Sequence, residues 1–193
     1  DRATDIEVKK KLSFRCAEIY EHNIGQPERS ARHYERVLSV QTDNESAARA
    51  LVPIYRQTEK WSRLLSVFEI VLKHTTDAVE RAALMDEMRE IASEQMNNRG
   101  QAFEWASRAF CETPSDDGVR QTLEEAAEAA SAYEELVELY KGSLNSFEGE
   151  DRLNMERRIA SLCLERLGKV DDAVATYKDI LNRAPSDEVA LSA

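Results

Sequence analysis

The chain has 193 residues, 42% of them hydrophobic and only 7% aromatic, with six glycines and four prolines. This composition is typical of a helix-rich protein with a packed core, and it argues against a disordered chain. The net charge is −11. Residues 1–42 carry eight Lys/Arg and seven Asp/Glu, whereas the remainder carries 18 Lys/Arg and 30 Asp/Glu. Most of the surface would therefore repel a nucleic acid.

Helical patterns begin near the start of the chain. Thr4 and Glu7 have the spacing of a capping box that opens a first helix, and this helix extends to Gly25. A second helix follows Pro27, which suits the first turn of a helix, and it ends near Val40. The two segments together predict a helical hairpin.

The same alternation continues to the end of the sequence. Pro53 falls inside the third helix, where it predicts either a local bend or a break, because proline removes a backbone donor. Short polar connections separate the segments, and no segment has the alternation of a strand. Four of the later helices are predicted to begin near 43, 77, 101 and 116 and to include Tyr55, Ile91, Phe110 and Ala127, respectively. The others are predicted at about 60–73, 133–144, 150–167 and 170–183, with the start of a further helix at 186–193.

A repeated triplet of positions organises these helices. The anchor of each triplet is followed by an apolar or aromatic residue four positions on and another small or apolar residue seven positions on, which is one face of an amphipathic helix. Successive anchors lie 34, 38, 34 and 37 residues apart. We expect the extra residues, about one helical turn, at the starts of the first helices of units three and five. The triplets are Ser30/Tyr34/Val37, Leu64/Phe68/Val71, Ala102/Ala106/Ala109, Leu136/Tyr140/Ser143 and Ala173/Tyr177/Ile180.

The repeated unit resembles the tetratricopeptide repeat, a helix–turn–helix of 34 residues. The fifth unit matches best, with Ala173 at the small position, Tyr177 at the aromatic position and Pro185 at the end. Val52 and Ser161 stand where the family has glycine, so the repeats are divergent. The resemblance implies an all-α fold, a right-handed α-solenoid of about five repeats in one domain over 1–193. The implied units are about 4–42, 43–75, 76–114, 115–146 and 147–185.

The resemblance also implies a function. Such arrays are scaffolds that bind a segment or domain of another protein through a concave face lined by the first helix of each unit. Several arginines fall at these positions, and arginine binds carboxylates with two hydrogen bonds, so one hypothesis is an acidic partner segment. The alternative is that these arginines pair with glutamates on neighbouring helices. The face carried over by position comprises Arg15, Ile19, His22, Arg49, Arg56, Gln121, Arg158, Leu162 and Arg166, together with Pro53, Glu125 and Met155.

Other functions are less well supported by the sequence. A structural spacer or a self-association module, including a homodimer formed through exposed repeat ends, needs no peptide ligand. RNA-binding helical repeats have a similar period but need a cationic surface, which this chain lacks. The sequence has no glycine-rich nucleotide loop and no HExxH motif, and its three histidines are isolated. We therefore expect no enzyme activity, no cofactor and no metal.

We expect the protein to be cytoplasmic. No apolar run approaches the roughly 18 residues of a membrane span. Cys16, Cys111 and Cys163 are scattered rather than arranged as a disulfide framework, which favours a reducing compartment. The sequence begins without a methionine and ends within a helical pattern, so we interpret it as a piece of a longer protein.

Overall fold

In a computed structural model, the backbone of residues 2–192 and the side chains of residues 7–192 are described. Within that range the secondary structure is helical and contains no strand, which confirms the all-α class. The chain divides between Asn97 and Asn98 into two compact units, here called the N unit and the C unit. This division falls inside the predicted repeat 76–114, and the predicted repeat boundaries stay predictions.

The N unit is built from helices that pack on their neighbours in sequence. Helix α1 packs on α2, α2 on α3, α3 on α4 and α4 on α5, as expected within an α-solenoid. Both α1 and α5 continue into a π-helical turn, in which each hydrogen bond spans one more residue than in an α-helix. Its elements are α1 (Arg2–Glu18) with the π turn Ile19–Ile24, α2 (Pro27–Val40), α3 (Glu45–Gln57), α4 (Trp61–His74) and α5 (Ala78–Glu90) with the π turn Ile91–Gln95.

The C unit has the same organisation. Helix α6 packs on α7, and the succession continues through α8, α9, α10 and α11. Its core is continuous from Phe110 and Leu123 through Tyr140 to Ile159, all at most 2% exposed. Its elements are α6 (Arg99–Glu112), α7 (Asp117–Ala130), α8 (Tyr133–Ser143) with the 3₁₀ turn Leu144–Ser146, α9 (Gly149–Glu165), α10 (Val170–Arg183) and α11 (Glu188–Ser192).

The repeated anchors explain why helices pair. All five anchor residues are buried where the second helix of a hairpin crosses its neighbour. At Ser30 the buried hydroxyl donates a hydrogen bond of 3.0 Å to the carbonyl of Ala17, so the one polar anchor is satisfied by the adjacent helix. The positions four residues on are also buried, apart from Tyr177, which is half-buried.

Helix starts follow the capping residues of the sequence. The side chains of Asn44, Asp77, Asn98 and Asp116 accept hydrogen bonds of 2.8–3.1 Å from backbone N–H groups of the first turn. Helix α1 begins at Arg2, and the side chain of Thr4, which was predicted to cap it, lies outside the described residues. Local side-chain chemistry therefore sets four of the helix starts.

Two details of the helices bear on the sequence predictions. Helix α3 runs unbroken through Pro53, so the alternative of a broken helix is wrong. Together with its π turn, the first helix of predicted unit three spans residues 78–95, and that of unit five spans 149–165. Both are longer than the first helices of units two and four, at 45–57 and 117–130, as the anchor spacing indicates. None of the helices in residues 2–192 is long and apolar enough to cross a bilayer.

Candidate functional site

Two arginines of the N unit link α3 to α5 through ion pairs. Arg49 bonds Glu45 on its own helix through Nε at 2.8 Å and reaches Glu80 through Nη2 at 3.3 Å. Arg56, two turns further along α3, pairs with Glu87, which lies two turns beyond Glu80. The two pairs therefore form successive rungs between the first helices of neighbouring hairpins.

The C unit has corresponding rungs between α7 and α9. Glu124 accepts hydrogen bonds from Nε of Arg158 at 2.9 Å and from its Nη2. Glu128, one turn along α7, lies 3.5 Å from Nη2 of Arg166. In the C unit the arginines stand on the later helix, whereas in the N unit they stand on the earlier one. The ion pairs thus have opposite polarity in the two units.

A hollow of about 160 Å³ lies over the C-unit rungs. Buried Leu136 and Leu162 are its apolar lining, and Tyr133 lies at its side with the guanidinium of Arg166 5.2 Å from the ring centroid. We call the surface around this hollow the α7–α9 face. The remaining residues that line the hollow are Gln121, Glu124, Glu125, Glu128 and Arg158.

A second hollow of about 280 Å³ extends the α7–α9 face along the same two helices. It shares Glu124 and Arg158 with the first hollow and is bordered by Arg120 and Asn154, with buried Met155 beneath. The two hollows are therefore contiguous, and the ion pair between Glu124 and Arg158 separates them.

A buried tyrosine beneath the α7–α9 face holds the carboxylate of Glu124 in place. The hydroxyl of fully buried Tyr140 donates a hydrogen bond of 2.9 Å to Oε1 of Glu124. Burial, reinforced by the charge of Glu124, raises the pKa of Tyr140 well above its ordinary value, so the hydroxyl stays protonated and donates. The hydrogen bonds that Arg158 donates to Glu124 raise the pKa of Arg158.

The residues predicted from the sequence fall into three groups. Gln121, Arg158, Leu162 and Arg166 come together around one hollow, with Glu125 beside Gln121 at a hydrogen-bond distance of 2.9 Å. Arg49 and Arg56 lie on the N-unit rungs. In and beside α1, Arg15 pairs with Glu18 at 3.2 Å, and Ile19 and His22 are exposed on the π turn.

Ion pairing across helices, the alternative raised by the sequence, is seen at four of these arginines. The sequence interpretation missed the glutamate partners. One signal could have found them, since each arginine and its partner are separated by 31 to 38 residues, close to one repeat. Residues one repeat apart on first helices are neighbours in space.

Family comparison identifies the repeat. Residues 158–187, which span the end of α9, all of α10 and the connection to α11, match a family model described as tetratricopeptide repeat. The five buried anchors place hairpins with the same internal pattern along the chain. The segment at 158–187 is therefore similar to a tetratricopeptide repeat.

The solved structures that match this chain share little sequence with it. The chain is 14% identical to MamA, over 90% of this chain and 91% of that one, with a TM-score of 0.42. It is 12% identical to YrrB, which is described as a TPR protein with an unusual peptide-binding site. The match covers 93% of this chain and 89% of YrrB, with a TM-score of 0.40. For TTC0263, a thermophilic TPR protein of Thermus thermophilus, the identity is 16% over 95% of each chain, with a TM-score of 0.37. No curated protein matches the sequence.

Proposed function

We propose that this helical protein is a protein-interaction module and that its partner segment lies on the α7–α9 face. The observation that carries the proposal is the convergence of polar side chains from two first helices on a hollow with an apolar lining. Ligand sites commonly combine an apolar surface with a few polar groups that fix orientation. Five of the residues carried over from the family resemblance line this one hollow.

The charges around the hollow favour a particular kind of segment. Three glutamates and two arginines line it, a net charge of −1, and both arginines already have glutamate partners. An acidic segment would have to displace those partners. An apolar side chain on the lining, followed by a lysine or arginine near Glu125 and Glu128, would meet no such cost. We therefore favour an apolar segment with a basic neighbour over the acidic segment suggested by the arginines alone.

A library of random peptides displayed on phage tests this proposal with a defined probe. We expect enriched peptides to carry an aliphatic or aromatic residue next to a lysine or arginine. Substitution Glu125→Arg should weaken their binding at least about tenfold, equivalent to about 1.4 kcal/mol, because it places like charges together. The matched control is Glu104→Arg, the same change at an exposed glutamate of α6 outside the face.

Two outcomes would overturn the proposal. One is that no peptide is enriched on the wild-type protein. The other is that the enriched peptides bind the Glu125→Arg variant as tightly as they bind the Glu104→Arg variant. Binding can be measured by fluorescence anisotropy with the synthesised peptides.

A second candidate function is self-association, which the sequence analysis raised for exposed repeat ends. It is favoured by Val8 and Leu12, which lie one turn apart on α1 and are 49% and 60% exposed. Exposed apolar clusters of this kind mark interaction surfaces. A non-catalytic role and a cytoplasmic location stay predictions.

A further inference from the structure

A separate hollow lies in the N unit, between α1 and α2. Its volume of about 310 Å³ falls within the range of about 300–1,000 Å³ that is typical of small-molecule sites in proteins. Both helices extend beyond the hollow in either direction. We call it the α1–α2 hollow; its lining residues are Lys9, Leu12, Ser13, Cys16, His33 and Arg36.

Most of the surface of the α1–α2 hollow is apolar. Leu12 and Cys16 line it from positions one turn apart on α1. On the side of α2, His33 stacks on Tyr20 with the ring centroids 5.4 Å apart and the planes 13° from parallel, so this wall is held in place. An occupant of the hollow would therefore bury an apolar body.

Ser13 is the buried polar residue of the hollow. It is 6% exposed, and its hydroxyl makes no hydrogen bond with any residue that the structure describes. By contrast, Ser66 and Ser107 donate to the carbonyl four residues earlier in their helices, at 3.0 and 2.8 Å. Buried hydroxyls are nearly always hydrogen-bonded, because an unpaired one is costly. The Ser13 hydroxyl therefore points to an occupant that accepts a hydrogen bond.

The edge of the hollow carries a positive charge without a counter-charge. Arg36 is exposed and forms no ion pair within residues 7–192, whereas Lys9 has an interaction of its own. None of the described lining residues is an aspartate or a glutamate. A guanidinium group binds a carboxylate with two parallel hydrogen bonds. The polar end of an occupant is therefore expected to be a carboxylate.

We propose that the α1–α2 hollow binds a small amphipathic carboxylate, a molecule with a short apolar body and one carboxylate group. The apolar body lies on Leu12 and Cys16, and the carboxylate accepts hydrogen bonds from Ser13 and Arg36. A carboxylate satisfies both of these donors, whereas an uncharged molecule leaves Arg36 without a counter-charge. The site belongs to the N unit and goes beyond the peptide site proposed for the α7–α9 face of the C unit.

Equilibrium dialysis of the full chain with radiolabelled octanoate tests the proposal. The wild type should bind octanoate at least about fivefold more tightly than octanamide, the uncharged analogue of the same length. Substitution Arg36→Ala should weaken octanoate binding at least about fivefold and remove the preference over octanamide. The matched control, Arg32→Ala, removes the same charge from α2 one turn earlier, at an exposed position outside the hollow, and should bind like the wild type.

Substitution Ser13→Ala separates a ligand contact from a structural role. It removes the hydroxyl without breaking a hydrogen bond to a described residue, so the urea midpoint of unfolding should not fall. Octanoate binding should nevertheless weaken about threefold or more, because one donor to the carboxylate is lost. A lower urea midpoint together with unchanged octanoate binding would assign Ser13 to the fold and contradict its role in the site.

Cys16 reports where octanoate binds. N-ethylmaleimide is an uncharged reagent, and mass spectrometry follows its reaction at each cysteine. Octanoate should slow the modification of Cys16 in proportion to the occupied fraction and leave that of exposed Cys111 unchanged.

Three outcomes would overturn the proposal. They are a wild type that binds octanoate no better than octanamide, an Arg36→Ala variant that binds octanoate like Arg32→Ala, and modification of Cys16 at the same rate with and without octanoate. Peptide binding at the α7–α9 face enters none of these measurements, so the two proposals fail separately.

Discussion

Glu124 connects the packing of the C unit with its surface. One carboxylate oxygen accepts a hydrogen bond from buried Tyr140, and both oxygens accept hydrogen bonds from Arg158. The carboxylate is therefore held by one buried partner and one partner on the surface. A charged group with this many partners is fixed in position before any ligand arrives. The α7–α9 face is therefore preorganised at its centre.

Substitution Tyr140→Phe removes only the buried hydroxyl. We expect the free energy of unfolding to fall by about 1–2 kcal/mol, because a hydrogen bond to a charged acceptor is lost while the ring stays packed. Urea denaturation followed by circular dichroism measures this change as a lower midpoint at unchanged slope. The control is Tyr177→Phe, since the described contacts give that hydroxyl no hydrogen bond. Equal effects at both positions would contradict the role assigned to Glu124.

The ion pair of Asp187 should make the stability of the fold depend on pH. The hydrogen bond from Arg157, with help from the Ala190 N–H, lowers the pKa of Asp187 below its ordinary value. A carboxyl whose pKa is lower in the folded state stabilises the fold above its unfolded pKa of about 4, and this contribution is lost as pH falls through the folded pKa. The Asp187→Asn variant should therefore be less stable than the wild type at neutral pH.

The same comparison should change at low pH. The stability difference between wild type and Asp187→Asn should shrink as pH falls below about 4, where the wild-type carboxyl takes up a proton. Chemical denaturation of both proteins at a series of pH values measures this difference in stability. The control Glu104→Gln, at an exposed position, should show little difference at any pH. A gap that persists unchanged in acid would show that the pair with Arg157 does not carry the effect.

At the scale of residues, the sequence predicts caps better than ion pairs. The caps at Asn44, Asp77 and Asp116 could be predicted because a cap depends only on the next two or three residues. The partners of Arg49 and Arg158 could not, because they depend on the distance between helices that lie a repeat apart. Of the candidate site, the positions on the first helices were therefore predictable and their hydrogen-bond partners were not.

At the scale of elements, Pro53 is a local defect within an otherwise regular helix. It is exposed and lies on the third turn of α3, where it cannot donate the usual bond to the carbonyl four residues earlier. The flanking Leu51 and Ile54 are buried, and their packing keeps α3 continuous. Tertiary contacts here outweigh an unfavourable local preference.

Substitution Pro53→Ala should increase the free energy of unfolding by about 1–2 kcal/mol. Alanine restores the missing hydrogen bond and is the best helix former, and this gain exceeds the extra freedom that alanine gives the unfolded chain. Thermal denaturation followed by circular dichroism measures the increase. Glu69→Ala, an exposed change on α4, should shift stability by less than about 0.5 kcal/mol. A decrease at position 53 would mean that the proline ring itself is required for packing.

At the scale of the whole molecule, the period of the sequence was enough to predict paired helices. The anchor spacings of 34 to 38 residues and the amphipathic faces are long-range regularities that do not depend on any one contact. The division between Asn97 and Asn98 was not predicted. The polar residues there were interpreted as the connection within a hairpin, and composition alone does not distinguish such a connection from a boundary between compact units.

The charge of the molecule is also divided. The C unit accounts for −9 of the net −11, since it carries 20 acids and 11 bases, and the N unit accounts for the remaining −2. Salt will therefore act differently on the two units, because like-charge repulsion is concentrated in one of them. On the sequence, residues 1–42, at +1, were compared with the remainder, at −12, and the structure places the division of the units later in the chain.

The π turns at Ile19–Ile24 and Ile91–Gln95 have a consequence for how the chain tolerates changes in length. A π turn contains one residue more than an α turn. Loss of a residue there converts the π turn to ordinary α-helix, and the helix faces before and after it keep their relative orientation. Loss of a residue in the middle of α9 would instead rotate everything beyond it by about 100° and carry Arg166 away from Glu128. Insertions and deletions in relatives should therefore accumulate at the two wide turns and avoid the middle of α9.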